Sequence, residues 1–328
     1  MTDPEAAGSL AVLDLDTEQF RIVYPPRAAA GAPPRAAAGA PPRAAAGAPP
    51  RTAAGGEANA KSIAVAGWGD PGCPGPAIEP FDPHGIDLAR RADGRLQLLA
   101  VNHGGRESIE FFEVLPEADN VHVIWRGCAV APEGGYFNDV VHLPEGGFLV
   151  THMMDRGSPM WGMIRAMMGS ETGFVYEWQE AGGFQQVPGT AAAFPNGIEV
   201  SEDGQEIYLN VYMGGEVRRI ARASGETLAT AEVASPDNLS WAKDGRLLVA
   251  SHVGSFSEQR PCMDLESGAC PMAFEIWALD PQSLEGKPIF ANAGPPMGAA
   301  TVAIDIGREL VMGSFAGDRV IRVRFPDR

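Results

Sequence analysis

The strongest constraint on this chain is a short strand pattern that recurs five times. It reads Pro83-His84-Gly85-Ile86-Asp87-Leu88, then Asn138-Asp139-Val140-Val141-His142-Leu143, then Asn196-Gly197-Ile198-Glu199-Val200. It returns as Asp237-Asn238-Leu239-Ser240-Trp241 and as Ala300-Thr301-Val302-Ala303-Ile304. Each copy opens on a polar or small residue, continues with apolar or β-branched ones, and runs into an acidic or glycine-rich turn. A second strand follows each time: Leu98–His103, Phe148–His152, Glu206–Asn210, Leu247–His252 and Glu309–Ser314. A unit of roughly 40 to 60 residues built this way is the sequence form of a β-propeller blade. The chain therefore reads as all-β. Its expected blades span 83–126, 137–188, 196–234, 237–292 and 299–324.

Residues 8–24 read as two more strands about an Asp-Thr turn, the outer part of a further blade. Its inner part, which would carry a sixth copy of the repeat, is absent. The expectation is a six-bladed propeller whose first blade is truncated at the N-terminus. Between the two parts lies Pro-Pro-Arg-Ala-Ala-Ala-Gly-Ala in tandem, closing on Pro49-Pro50-Arg51. Paired prolines forbid a continuous helix. The domain reading is therefore 1–24 as outer strands, 25–62 as a disordered low-complexity insertion, and 63–328 as the propeller. Residues 153–173 break the blade pattern with a methionine-rich stretch that predicts a short helix. It is either a lid over the site or a helix packed on the propeller face.

The chain has 328 residues and a formal net charge of −17. That charge argues against nucleic acid as a partner. No run of 18 apolar residues predicts a membrane-spanning helix, no signal peptide is visible, and nothing assigns an oligomeric state. The four cysteines, Cys73, Cys128, Cys262 and Cys270, lack the C-x₂-C spacing of a zinc site. Cys262 and Cys270 bracket one loop and are predicted to close it as a disulfide in an oxidising compartment, periplasmic or secreted. Reduced thiols are the alternative. The chain has no Gly-x-Ser-x-Gly elbow and no Walker loop, so serine-hydrolase and P-loop nucleotide chemistry lack their motifs.

Inner strands of a propeller start near its axis, so Asn138, Asn196, Asp237 and Asn238 are expected to converge there. A carboxylate with several amide oxygens is the donor set of a hard cation such as calcium. His84 opens the first full inner strand, while His103 and His252 end second strands. Histidine suits proton transfer near neutral pH. His152 is expected to be packed, and His122 and His142 to be structural.

These motifs resemble the paraoxonases, calcium-dependent arylesterases and lactonases within the wider SMP-30/gluconolactonase superfamily. The resemblance runs from about 83 to 324 on Pro83-His84-Gly85-Ile86, Leu98–His103, Asn138-Asp139-Val140, Asn196-Gly197-Ile198 and Asp237-Asn238-Leu239. It implies a six-bladed propeller with two calcium ions. The catalytic ion would lie on Asn138, Asn196, Asp237 and Asn238. A structural ion would lie on Asp139 and the Ile86 carbonyl. A Glu-Asp pair of the family's first inner strand has no counterpart here. The implied reaction is hydrolysis of a small lactone or ester, with His84 and His103 activating water and His252 lining the pocket. The rivals are a non-hydrolytic propeller of the strictosidine synthase-like kind and a binding propeller with a remnant metal site.

Overall fold

A computed structural model describes residues 8–25, 66–77, 80–118, 120–263 and 265–325. The expected insertion at 25–62 lies almost wholly outside them. The fold is a β-propeller. Strands β1 (Leu10–Asp14) and β2 (Gln19–Tyr24) form a two-stranded sheet. Blade one is β3 (Pro83–Arg90), β4 (Leu96–Asn102), β5 (Ser108–Glu117) and β6 (Asn120–Val130). Blade two is β7 (Phe137–His142), β8 (Phe148–His152), β9 (Phe174–Gln179) and β10 (Gly183–Gln186). Blade three is β11 (Pro195–Val200), β12 (Glu206–Val211), β13 (Glu216–Ala221) and β14 (Thr227–Glu232). Blade four is β15 (Pro236–Trp241), β16 (Leu247–His252), β17 (Phe274–Leu279) and β18 (Gly286–Asn292). Blade five has three strands, β19 (Ala300–Asp305), β20 (Glu309–Ser314) and β21 (Ile321–Arg324). Five blades are thus described where the sequence predicts six.

Every blade is an antiparallel meander, and the turn from first to second strand repeats. Gly94, Gly146, Gly204, Gly245 and Gly307 all take positive φ there, a region open to glycine without a Cβ penalty. Asp93, Asp203 and Asp244 each accept the backbone N–H two residues on, at 3.0 to 3.2 Å. This Asx turn is why the acidic-glycine signal was legible.

Each blade alone has a greasy face, and the core is made where two faces meet. Phe111 of blade one packs with Phe148 and Trp178 of blade two. Val141 and Leu149 meet Ile198 and Leu209 between blades two and three. Tyr208 and Val217 meet Leu239 and Val249 between three and four. Ile276 meets Ala303 and Leu310 between four and five. The two-stranded sheet joins this scheme through Tyr24, whose ring lies 5.0 Å from Phe81 and 4.7 Å from Phe112. On its other side Arg322 of blade five donates to the Leu15 carbonyl at 2.6 Å.

The methionine-rich segment forms a helix, α1 (Pro159–Met167), in which only Ala166 is buried. Met160, Trp161 and Met168 are exposed. Most of its apolar side chains are exposed, while Gly162 lies against Met154. Both cysteine pairs are disulfides: Cys262–Cys270, as expected, and Cys73–Cys128, which joins residues 55 positions apart. Disulfides persist in oxidising compartments.

Candidate active site

The recurring polar openings are β-bulges. Pro83 pairs with Asn102 and the next pair is Ile86 with Ala100, so His84 and Gly85 are skipped. The same break skips Asn138-Asp139 between Phe137 and Val140, Asn196-Gly197 between Pro195 and Ile198, and Asp237-Asn238 between Pro236 and Leu239. A bulge leaves residues out of the ladder and re-aims their side chains. Four bulges on inner strands of neighbouring blades make one band.

The band is tight. A Cβ on Gly85 would stand 2.4 Å from the Asn138 carbonyl oxygen, and one on Gly197 2.4 Å from that of Asp237. Only glycine allows the adjacent bulges to touch backbone to backbone. Asp139 Oδ2 accepts the Ile198 N–H at 3.1 Å, linking the second bulge to the strand of the third. Thr151 donates to the Asn196 carbonyl at 2.6 Å, and Asn210 donates to that of Asp237 at 2.6 Å. The bulges that carry His84, Asn138, Asp139, Asn196, Asp237 and Asn238 therefore lie side by side, with Ile86 next to the first of them.

The oxygens in this band are short of partners. Asn138, Asp139 and Asn196 are buried, and the amide oxygens of Asn196 and Asn210 have no hydrogen-bond donor. Burial lifts Asp139 to about 7, with a further push from Asp87. Burial and then Asp139 lift Asp237 to about 8. Among the described residues no lysine or arginine pairs with either. His252 Nδ1 lies 3.7 Å from Asp237 Oδ2, but that nitrogen faces the Tyr212 hydroxyl at 3.0 Å and Nε2 faces the Ala300 carbonyl at 3.1 Å. Burial lowers His252 to about 4, so it stays neutral and does not compensate the acid. Buried, cation-free carboxylates beside orphaned amide oxygens fit a hard cation. No group of three His, Cys, Asp or Glu among the described residues makes a metal cluster; the donors here are mostly amides.

Beside the oxygens stands a histidine pair. His84 Nδ1 lies 2.8 Å from His103 Nε2. Burial among protein atoms, then His103, lowers His84 to about 4, although part of its surface meets solvent. His103 Nδ1 lies 3.0 Å from both oxygens of Glu107. Glu107 also accepts the Phe137 N–H at 2.7 Å and pairs with Arg156 at 3.2 Å. Arg156 donates to the His103 carbonyl at 2.6 Å.

Glu107 and Arg156 escaped the sequence reading. Glu107 stands four residues after His103, across the Gly104-Gly105 turn, and that spacing was the available signal. Arg156 lies in the methionine-rich segment, where the apolar residues drew attention. His152 is packed as expected, against Phe174 and Tyr176. His122 is half exposed. His142 bonds Asp87 at 2.7 Å. Deeper in, burial followed by Asp87 and Asp139 raises Glu199 well above the carboxylate range. A cavity of about 1100 Å³ opens at the opposite, turn end, lined by Asp87, His142, Glu199 and Trp241. The cavity and the histidine pair are at different ends of the blades.

Fold and site together define a β-propeller that gathers oxygen donors on its inner strands beside a histidine pair. The chain belongs to the arylesterase family, whose model matches residues 57–319. No curated protein matches the chain. Similar solved structures include a luciferin-regenerating enzyme (16% identity, 75% of this chain and 78% of that one, TM-score 0.44). Another is a Xanthomonas campestris gluconolactonase (18%, 73% and 71%, 0.42). A third is regucalcin, a calcium-binding protein from Agrobacterium tumefaciens (15%, 71% and 82%, 0.39). Likeness at this level says nothing of the reaction.

Proposed function

We propose that the protein is a calcium-dependent hydrolase of small lactones or carboxylic esters. The observation that carries the reading is the band of bulges, which sets cation-free buried oxygens beside the His84–His103 pair. Asn138, Asn196, Asp237 and Asn238 would hold a catalytic ion, and Asp139 with the Ile86 carbonyl a structural one. When bound, calcium supplies electrostatic stabilisation of a carbonyl oxygen that becomes negative. His84 takes the proton of the attacking water, and His103 receives charge from His84. His252, with both ring nitrogens bonded to protein, shapes the pocket wall and moves no proton. The β1–β2 sheet, held between blades one and five, stands in the place of a sixth blade. The two disulfides favour a secreted or periplasmic setting.

The test is direct. Phenyl acetate, a γ-lactone and a δ-lactone are incubated with the protein in calcium and in excess chelator. Hydrolysis in calcium that stops with chelator is expected. Hydrolysis undiminished by chelator would sink the metal reading. No turnover of any of the three in calcium would sink the hydrolase reading and favour a binding propeller.

A further inference from the structure

We propose that Glu107 is the positioning residue of the histidine pair: it dictates which ring nitrogens carry hydrogen and thereby leaves His84 Nε2 as the free base. The inference rests on the hydrolase reading above. It starts from what Glu107 touches. The Phe137 N–H and the Arg156 guanidinium can only donate. Both carboxylate oxygens therefore accept, and the His103 Nδ1 that faces them at 3.0 Å must donate. A neutral His103 then has only a lone pair at Nε2. That nitrogen, 2.8 Å from His84 Nδ1, accepts a hydrogen from it. The last ring nitrogen, His84 Nε2, keeps its lone pair, and no described residue bonds to it. One buried carboxylate thus orders four nitrogens.

The proton balance closes without any other reactant. Water gives a proton to His84 Nε2 as its oxygen bonds to the ester carbonyl carbon. The Nδ1 hydrogen of His84 passes to His103 Nε2. Positive charge then rests on His103, against Glu107. When the acyl C–O bond breaks, the proton returns along the same path to the departing alkoxide. Arg156 fixes this arrangement from outside, because it grips both Glu107 and the His103 carbonyl. It lies just before α1, so the methionine-rich segment has a defined role as the carrier of that arginine.

A plain structural role for Glu107, as a clamp on Phe137 and Arg156, predicts something different under substitution. Glu107→Gln keeps the volume and an oxygen for the Phe137 N–H. Its amide, however, donates to His103 Nδ1 and drives the hydrogen to Nε2, which reverses the chain and protonates His84 Nε2. Ring-nitrogen ¹⁵N NMR on the full chain reads this, with a thermal melt as fold control. In the wild type, hydrogen on Nδ1 of both His84 and His103 is expected, and in Glu107→Gln hydrogen on Nε2 of both. With phenyl acetate, kcat should fall by about 10²- to 10⁴-fold while KM stays within about twofold, since a reversed tautomer in a serine-protease triad costs about 10⁴. Glu107→Asp, which keeps an acceptor, should recover part of kcat. The proposal is overturned if His103 carries Nε2–H in the wild type, or if its tautomer or kcat is the same in Glu107→Gln. Should Glu107→Gln not fold, the wild-type spectrum alone decides. If the wild type turns over no ester or lactone, the hydrolase reading falls, while the nitrogen spectrum still decides the role of Glu107.

Discussion

The bulges of β7, β11 and β15 and the bulge of β3 are the same backbone device put to opposite electrostatic use. The first three carry the buried Asn138, Asp139 and Asn196 and the part-buried Asp237 and Asn238, and no described lysine or arginine pairs with either carboxylate. Burying a carboxylate without a counter-charge is costly, and that cost raises Asp139 and Asp237 above the usual carboxylate range. The bulge of β3 carries His84, which the protein satisfies from within through His103, Glu107 and Arg156. On the proposed reading, one half of the site awaits an external charge. The other is complete and keeps one nitrogen free. On the proposed reading, a difference in side chain and second-strand partner, not in backbone, separates binding from proton transfer.

The largest effect should come from breaking the oxygen half. We predict that Asp237→Ala lowers ester hydrolysis by more than about 10⁴-fold and abolishes its response to calcium, because electrostatic stabilisation is usually the largest single contribution to such a rate. Calcium titration by calorimetry with parallel kinetics would check it; full activity in chelator would refute it. Breaking the histidine half should do less. His84→Ala should cost about 10²- to 10⁴-fold, since water can partly replace a general base. Calcium binding should survive. If this variant is as inactive as Asp237→Ala while still binding calcium, the ranking of the halves is reversed.

Two stability comparisons follow. The Cys73–Cys128 bond closes a 55-residue span and Cys262–Cys270 an 8-residue one. Loop entropy then assigns about 4 kcal/mol to the first and about 2.5 kcal/mol to the second. Double serine variants compared by denaturant titration should keep that order. The smallest effects concern Ile198 and Ile86, the residues just past the bulges of β11 and β3. Ile198 is 2% exposed and Ile86 54%. Ile198→Ala should cost about 2 to 5 kcal/mol, because it leaves a cavity between blades. Ile86→Ala should cost under about 1 kcal/mol, because its side chain is already in water. Equal losses would mean that β3 is enclosed in solution.

The same repeat that reads alike in sequence is thus enclosed at β7 and β11 and half open at β3. Strand positions, the acidic-glycine turns and the polar openings were legible in the sequence because each depends on neighbours a few residues away. Alternation marks a strand, Asp-Gly marks its turn, and a polar pair ahead of an apolar run marks the bulge. From these came His84, His103 and the Asn-Asp set. The Cys262–Cys270 bond was legible for the same reason, being short in span. Only the tertiary structure could join Cys73 to Cys128, aim Arg156 of blade two at Glu107 of blade one, bond Asp87 to His142, or satisfy both nitrogens of His252. Those contacts bridge separations of tens of residues. They are decided by which faces pack when blades close around an axis, and by the burial that follows, and no local pattern of residues records either.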